Sequence, residues 1–251
     1  MQTKQKWAAV GAALLLLGAG CFSTEKQLPP DGGVYKSTDG GALWAQANAV
    51  PTNTGVASLT QSNVSAIVPD PHHSGTIYAQ VEGDGLMVSN DSATSWRRAG
   101  LSQANIKDLV VDPVEPCTLY ASAGATLHKS RDCGRVWSSV YEVPDSKQEV
   151  RSLAIAPNNR SIIYGGLNDG VMIVSRNGGS SWQVLQRFES RLRKVLIDPV
   201  TPSRMYVVTE KKGLMRSNDA GATFDQIKEL LEAFTGYKRG WDLHIDAQDH
   251  N

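Results

Sequence analysis

Three acids, Glu82, Asp84 and Asp169, stand on short polar turns of the chain. Two carboxylates flanking a glycosidic bond are what glycoside hydrolysis requires, so these are the residues that could do such chemistry. The run RFESRLRK holds Arg187, Arg191, Arg193 and Lys194, the densest basic stretch, and Lys211 follows on a later turn. Such a patch suits an acidic partner or a glycan, or is simply a solvated loop edge. No motif sets any two of the acids opposite each other, so no catalytic residue is assigned. His72-His73 has no third ligand at a recognisable spacing, and no metal site is expected. A Gly-rich phosphate loop and a GxSxG nucleophile turn are both missing from the sequence, so no cofactor is expected either.

The elements that must carry these residues come from self-comparison. Five octets align: STDGGALW from Ser37, SNDSATSW from Ser89, SRDCGRVW from Ser130, SRNGGSSW from Ser175 and SNDAGATF from Ser217. Their starts are 52, 41, 45 and 42 residues apart. A dipeptide precedes four of them by 18 or 19 residues, at Asp70-Pro71, Asp112-Pro113, Ala156-Pro157 and Asp198-Pro199. A tyrosine follows each dipeptide, at Tyr78, Tyr120, Tyr164 and Tyr206. Each unit reads as four short strands, A to D, with β-branched and aromatic residues bounded by Gly and Pro. In unit two they are 64–68, 76–81, 86–89 and 96–99. Four strands per 40–50 residues is the period of a β-propeller blade. The fold class predicted is all-β, a propeller of four-stranded antiparallel blades, about five in number, either as a set or as a truncation of six or seven.

Within each octet the acid or amide, at Asp39, Asp91, Asp132, Asn177 and Asp219, can accept backbone N–H groups of the C–D turn. The aromatic at the eighth position, Trp44, Trp96, Trp137, Trp182 or Phe224, can plug the gap between sheets. These residues resemble the Asp-box, or BNR, repeat of sialidases, sortilin-like receptors, xyloglucanases and photosystem II assembly-factor-like lipoproteins. The resemblance covers roughly residues 31–251 and implies a structural role for the octets. Ala93, Asn177 and Phe224 depart from the pattern, which predicts looser second and fourth turns and a poorly plugged fifth. A sialidase would also need an arginine triad, a tyrosine nucleophile and an early FRIP-like segment. None of the 13 arginines is placed by such a motif.

Strand direction sorts the loops onto two faces. The A–B and C–D turns share one, with the octets. The B–C and D–A loops share the other, where propellers usually bind, and the acids and basic run above fall there. Cys117 precedes strand B of unit three and Cys133 follows strand C, so a disulfide is geometrically reasonable; two unpaired thiols are the alternative. DQIKELLEAF from Asp225 has apolar residues at i, i+3, i+4 and i+7, predicting an amphipathic helix that packs on its own propeller or docks into a partner groove.

The first residues read as an address. Lys4 and Lys6 precede an uncharged apolar run that ends LGAGC at Cys21. That run is shorter than a membrane span, as in a signal peptide. Its end resembles a bacterial lipobox, which implies cleavage to leave residues 21–32 as a tether lipidated on Cys21. Phe22 rather than Asp after that cysteine implies the outer membrane of the cell envelope. Residues 33–251 are then the propeller. Lys plus Arg is 25 and Asp plus Glu is 25, a balance that disfavours a nucleic-acid binder. The first octet comes with strands C and D alone, and GWDLHIDAQDHN at the end matches a strand A with its turn, so strand B of that blade is missing. The expected function is a membrane-anchored, non-catalytic binding or assembly scaffold for a protein or glycan. A glycoside hydrolase or sialidase-like carbohydrate binder is the alternative.

Overall fold

The computed structural model describes residues 32–102, 104–227, 243 and 245. Among them every regular element is a strand. Unit one contributes β1 (Tyr35–Lys36) and β2 (Ala45–Gln46), and a hairpin of β3 (Ala49–Thr52) and β4 (Gly55–Ser58) follows. Unit two is β5 (Val64–Pro69), β6 (Ile77–Val81), β7 (Gly85–Ser89) and β8 (Arg97–Arg98). Unit three is β9 (Ile106–Val111), β10 (Leu119–Ala123), β11 (Thr126–Ser130) and β12 (Ser138–Glu142). Unit four is β13 (Val150–Ile155), β14 (Ile163–Leu167), β15 (Val171–Ser175) and β16 (Gln183–Arg187). Unit five is β17 (Leu192–Ile197), β18 (Met205–Thr209), β19 (Gly213–Ser217) and β20 (Asp225–Gln226).

Units two to five are thus four complete antiparallel blades, each with its strands in chain order, arranged as a β-propeller. The expected five resolve into these four and a two-stranded β1–β2 sheet bearing the first octet. The β3–β4 hairpin was not anticipated; it fills the extra length that separates the first two octets. The helix expected from Asp225 is not formed at its start. Asp225 pairs with Arg216 and Gln226 with Met215 as strand, and Ile227 N–H donates to the Leu214 carbonyl at 2.9 Å. The edge of β19 offers hydrogen-bonding partners that outweigh the local helical pattern. The rest of that segment, like residues 1–31 and most of 240–251, lies outside the described residues.

The core lies between blades. Tyr120, Leu127 and Val150 pack with Leu153 and Ile163 between units three and four, and Tyr164, Met172 and Leu192 with Met205 between units four and five. First strands lie against first strands, β9 on β13 and β13 on β17, which sets them innermost. Two glycines permit close approaches between neighbouring blades. A Cβ on Gly166 would sit 3.0 Å from Val195 of the next blade, and one on Gly100 2.4 Å from the Trp137 ring.

Each octet folds into the same turn. In unit two the Ser89 hydroxyl donates to Asp91 Oδ1 at 2.7 Å and accepts from Ala93 N–H at 2.9 Å, while Asp91 Oδ1 accepts from Ser95 N–H at 2.8 Å. The second octet is therefore no looser than the others: Ala93 takes φ 66° in the position Gly holds elsewhere, its one methyl group small enough for that conformation. The fourth also stays closed, because the amide of Asn177 keeps an oxygen that accepts from Ser181 N–H at 2.8 Å. The residue before, fourth in the octet, is left-handed too, at Ser92, Cys133 and Ala220 as well as at glycines. Phe224 is half-buried, edge-on to Phe188 with ring centroids 5.1 Å apart. The least covered plug is Trp44, 63% exposed, where Trp96 is 1% exposed.

Candidate functional site

The dipeptide acids are used up inside their own turns. Asp112 Oδ1 accepts from Val114 and Glu115 N–H at 2.9 and 3.0 Å, and Asp198 Oδ1 accepts from Val200 and Thr201 N–H at 2.9 Å each. His72 joins two turns: its Nε2 lies 2.8 Å from the Asp112 carbonyl oxygen.

The B–C and D–A loops do come together on the opposite face, as Glu210 N–H donating to the Arg191 carbonyl at 2.9 Å shows. The inner strands enter from there, and their second residues, Lys107, Arg151 and Arg193, form a row of cations from blade to blade. Each finds an acid. Glu149 lies 2.7 Å from Arg151 and 3.5 Å from Lys107. Glu210 lies 3.1 Å from Arg193 and 3.8 Å from Arg191. Each acid is shared by two cations, and the Lys107–Glu149–Arg151 triad keeps one net positive charge.

One residue further along the inner strands, polar side chains stitch blade to blade. Asp108 Oδ2 accepts from Leu153 N–H at 2.8 Å, and Ser152 Oγ accepts from Val195 N–H at 3.0 Å. Burial pushes the Asp108 carboxyl up from the usual range, opposed by Lys194, whose Nζ lies 3.7 Å away, and by the N–H groups of Leu153 and Leu109.

Of the residues singled out from sequence, Arg191, Arg193 and Lys194 enter these clusters. Asp84 pairs with Arg98 at the edge of unit two. Asp169 caps its own hairpin, accepting from Val171 N–H at 3.0 Å. Glu82, Arg187 and Lys211 are exposed and form no ion pair among the described residues. Glu82 and Asp84 stand on unit two and Asp169 on unit four, and no hydrogen bond or ion pair joins them. Sequence reasoning missed Lys107, Asp108, Glu149 and Arg151. The signal for two of them was available, since Lys107 and Arg151 fall in one column of the repeat with Arg193.

Cys117 and Cys133 are brought together with Cα atoms 4.0 Å apart, and Cys133 N–H donates to the Cys117 carbonyl at 3.0 Å. This links the A–B turn of unit three to its octet.

No family model matches the sequence, and no curated protein matches it. Solved structures do match in fold. An ancestral GH74 enzyme superposes with a TM-score of 0.60 at 22% identity, covering 75% of this chain and 26% of its own. The GH74 enzyme of Niastella koreensis gives 0.57 at 23% identity, covering 66% of this chain and 30% of its own. The GH74 xyloglucanase of Xanthomonas campestris gives 0.55 at 20%, again covering 66% and 30%. The chain spans between a quarter and a third of these enzymes, and at such identity the likeness establishes the β-propeller fold alone.

Proposed function

We propose that the protein is a non-catalytic binding propeller whose B–C and D–A face receives an acidic partner, a protein or a glycan carrying carboxylates. The observation that carries this is the row of cations Lys107, Arg151, Arg191 and Arg193 gathered on two acids of that face, Glu149 and Glu210, with Lys107–Glu149–Arg151 one charge in excess. Rigid inner strands hold the cations, and guanidinium groups engage carboxylates in a planar fork. A carbohydrate-active role is the second reading, supported by the likeness to GH74 enzymes, one of them a xyloglucanase.

In this reading the octets are Asp-box repeats, Cys117 and Cys133 form a disulfide, and Cys21 carries the lipid of an outer-membrane lipoprotein. An exported, oxidising compartment is consistent with the bond.

A glycan array read beside a fluorogenic glycoside screen tests the choice. The proposal expects retention of acidic ligands, roughly tenfold weaker after Arg151→Ala with Arg191→Ala and weakened by salt. Turnover lost in Glu82, Asp84 or Asp169 variants would overturn it in favour of the hydrolase.

A further inference from the structure

On the octet face, between units three and four, two cavities of about 410 and 430 Å³ adjoin. They share Lys129, Arg131 and Gly178 as lining, so they form one cleft. Tyr120 and Lys129 come from the blade of unit three, Arg131 from its octet, and Arg160 and Asn177 from unit four.

The cleft has been stripped of acid on one side. The third octet position is Asp in units one, two, three and five, and Asn177 in unit four. The dipeptide position is Asp70, Asp112 and Asp198 in units two, three and five, and Ala156 in unit four. Both losses fall in unit four, where Asn177 lines the cleft and Ala156 does not; Asp112, Glu115 and Asp132 still line it. The acids that remain are engaged. Asp112 caps its turn, Asp132 Oδ1 accepts from Val136 and Arg135 N–H at 2.9 and 3.0 Å, and Glu115 pairs with Arg160.

The cations are less fully engaged. Lys129 Nζ donates to the Gly178 carbonyl at 3.0 Å and sits 4.8 Å from the Tyr120 ring centroid. Arg131 is exposed and has no ion pair among the described residues. Burial first, then the neighbouring Arg131, pushes the Lys129 ammonium down; Asp112 opposes this, and Arg160 adds a smaller repulsion. An anion seated among the three would relieve it. A planar carboxylate satisfies one guanidinium fork; the Lys129 ammonium and the Arg131 and Arg160 guanidinium groups, the last already paired with Glu115, line one cleft from two blades and suit an acceptor with oxygens in three directions.

We propose that this cleft is a second binding site, for a tetrahedral oxyanion borne by its ligand as a phosphate or sulfate ester. The site is independent of the acidic-partner face described above.

Calorimetric titration of the full chain with glucose 6-phosphate, glucose 6-sulfate and glucuronate tests it. At least one ester is expected to bind saturably, more tightly than glucuronate, and the tighter ester identifies the source. Arg131→Ala, which removes no ion pair among the described residues, is expected to weaken binding roughly tenfold. Asn177→Asp restores the acid of the other octets with their turn geometry, and is expected to weaken ester binding while the melting temperature is kept or raised. Arg191→Ala, on the other face, is expected to leave ester binding unchanged. Absence of saturation, glucuronate binding as tightly as both esters, or ester binding indifferent to both Arg131→Ala and Asn177→Asp would each overturn the proposal.

Discussion

The Tyr120 hydroxyl donates to the Gly178 carbonyl at 2.9 Å, tying strand B of unit three to the octet of unit four. Tyr164 does the same one blade on, reaching the Ala220 carbonyl at 3.3 Å. The tyrosine column of the repeat is therefore a blade-to-blade latch. Tyr78 occupies the same column, and its buried hydroxyl has no partner among the described residues. Burial pushes the Tyr78 and Tyr120 phenols up to about 12, so both are neutral donors. Tyr120→Phe is expected to cost about 1 kcal/mol, whereas Tyr78→Phe is expected to be neutral or mildly stabilising. Urea unfolding of the two variants reads the difference.

The plugs are graded by what lies behind them. Trp96 is 1% exposed and its indole N–H donates to the Ala47 carbonyl of unit one at 2.6 Å. Trp96→Ala is expected to cost about 3–5 kcal/mol. Trp44, 63% exposed, has little to lose, and Trp44→Ala is expected to stay within about 0.5 kcal/mol. Chemical denaturation of each variant, compared with the parent chain, checks the ranking.

The octet acids predict a local response to acid. Hydrogen bonds from the Ser95 hydroxyl and N–H hold the Asp91 carboxyl down at about 2, and Thr223 does the same for Asp219. A depressed carboxyl stabilises the fold above the unfolded value, about 4, and that contribution is lost as pH falls through about 2. Unit four already carries the non-titrating variant, Asn177. The Ser95 and Thr223 amide resonances are therefore expected to shift as pH is lowered from about 4 to about 2, while that of Ser181 does not.

How much of this was legible beforehand depends on which side of a residue its partners lie. The octet turn is local: Ser89, Asp91 and Ser95 bond within one segment, so type and spacing exposed it. The left-handed fourth position was missed because Ser92, Cys133 and Ala220 hide it behind ordinary side chains. The inner-strand stitching was missed because Asp108 bonds Leu153, a partner 45 residues away. The start of the segment at Asp225 shows the same limit in reverse, its first two residues pairing with the edge of β19. The cleft between units three and four became visible only once the blades stood side by side, although Ala156 and Asn177 had marked the acid-poor unit.

The cysteine pair predicts a redox-dependent stability. If the inferred disulfide holds the A–B turn of unit three to its octet, it closes a loop with a sequence separation of 16. In the chain-entropy model such a loop is worth about 3 kcal/mol. A peptide map without reductant is expected to recover Cys117 and Cys133 in one linked species, and the Cys117→Ser, Cys133→Ser variant is expected to unfold at lower denaturant concentration.

Asp108 predicts a pH dependence of opposite sign to that of the octets. Below about pH 4 the carboxyl is protonated in both folded and unfolded chains. As pH rises, the unfolded chain ionises freely while the buried group lags, so this residue draws stability away from the native state. Lys194 and the N–H groups of Leu153 and Leu109 limit that loss without abolishing it. Asp108→Asn keeps an oxygen for Leu153 and removes the charge. Its urea midpoint is expected to fall less as pH rises from about 4 than that of the parent chain. A steeper fall in the variant would mean that the ionised pair with Lys194 holds the inner strands together, and that the burial cost has been outweighed.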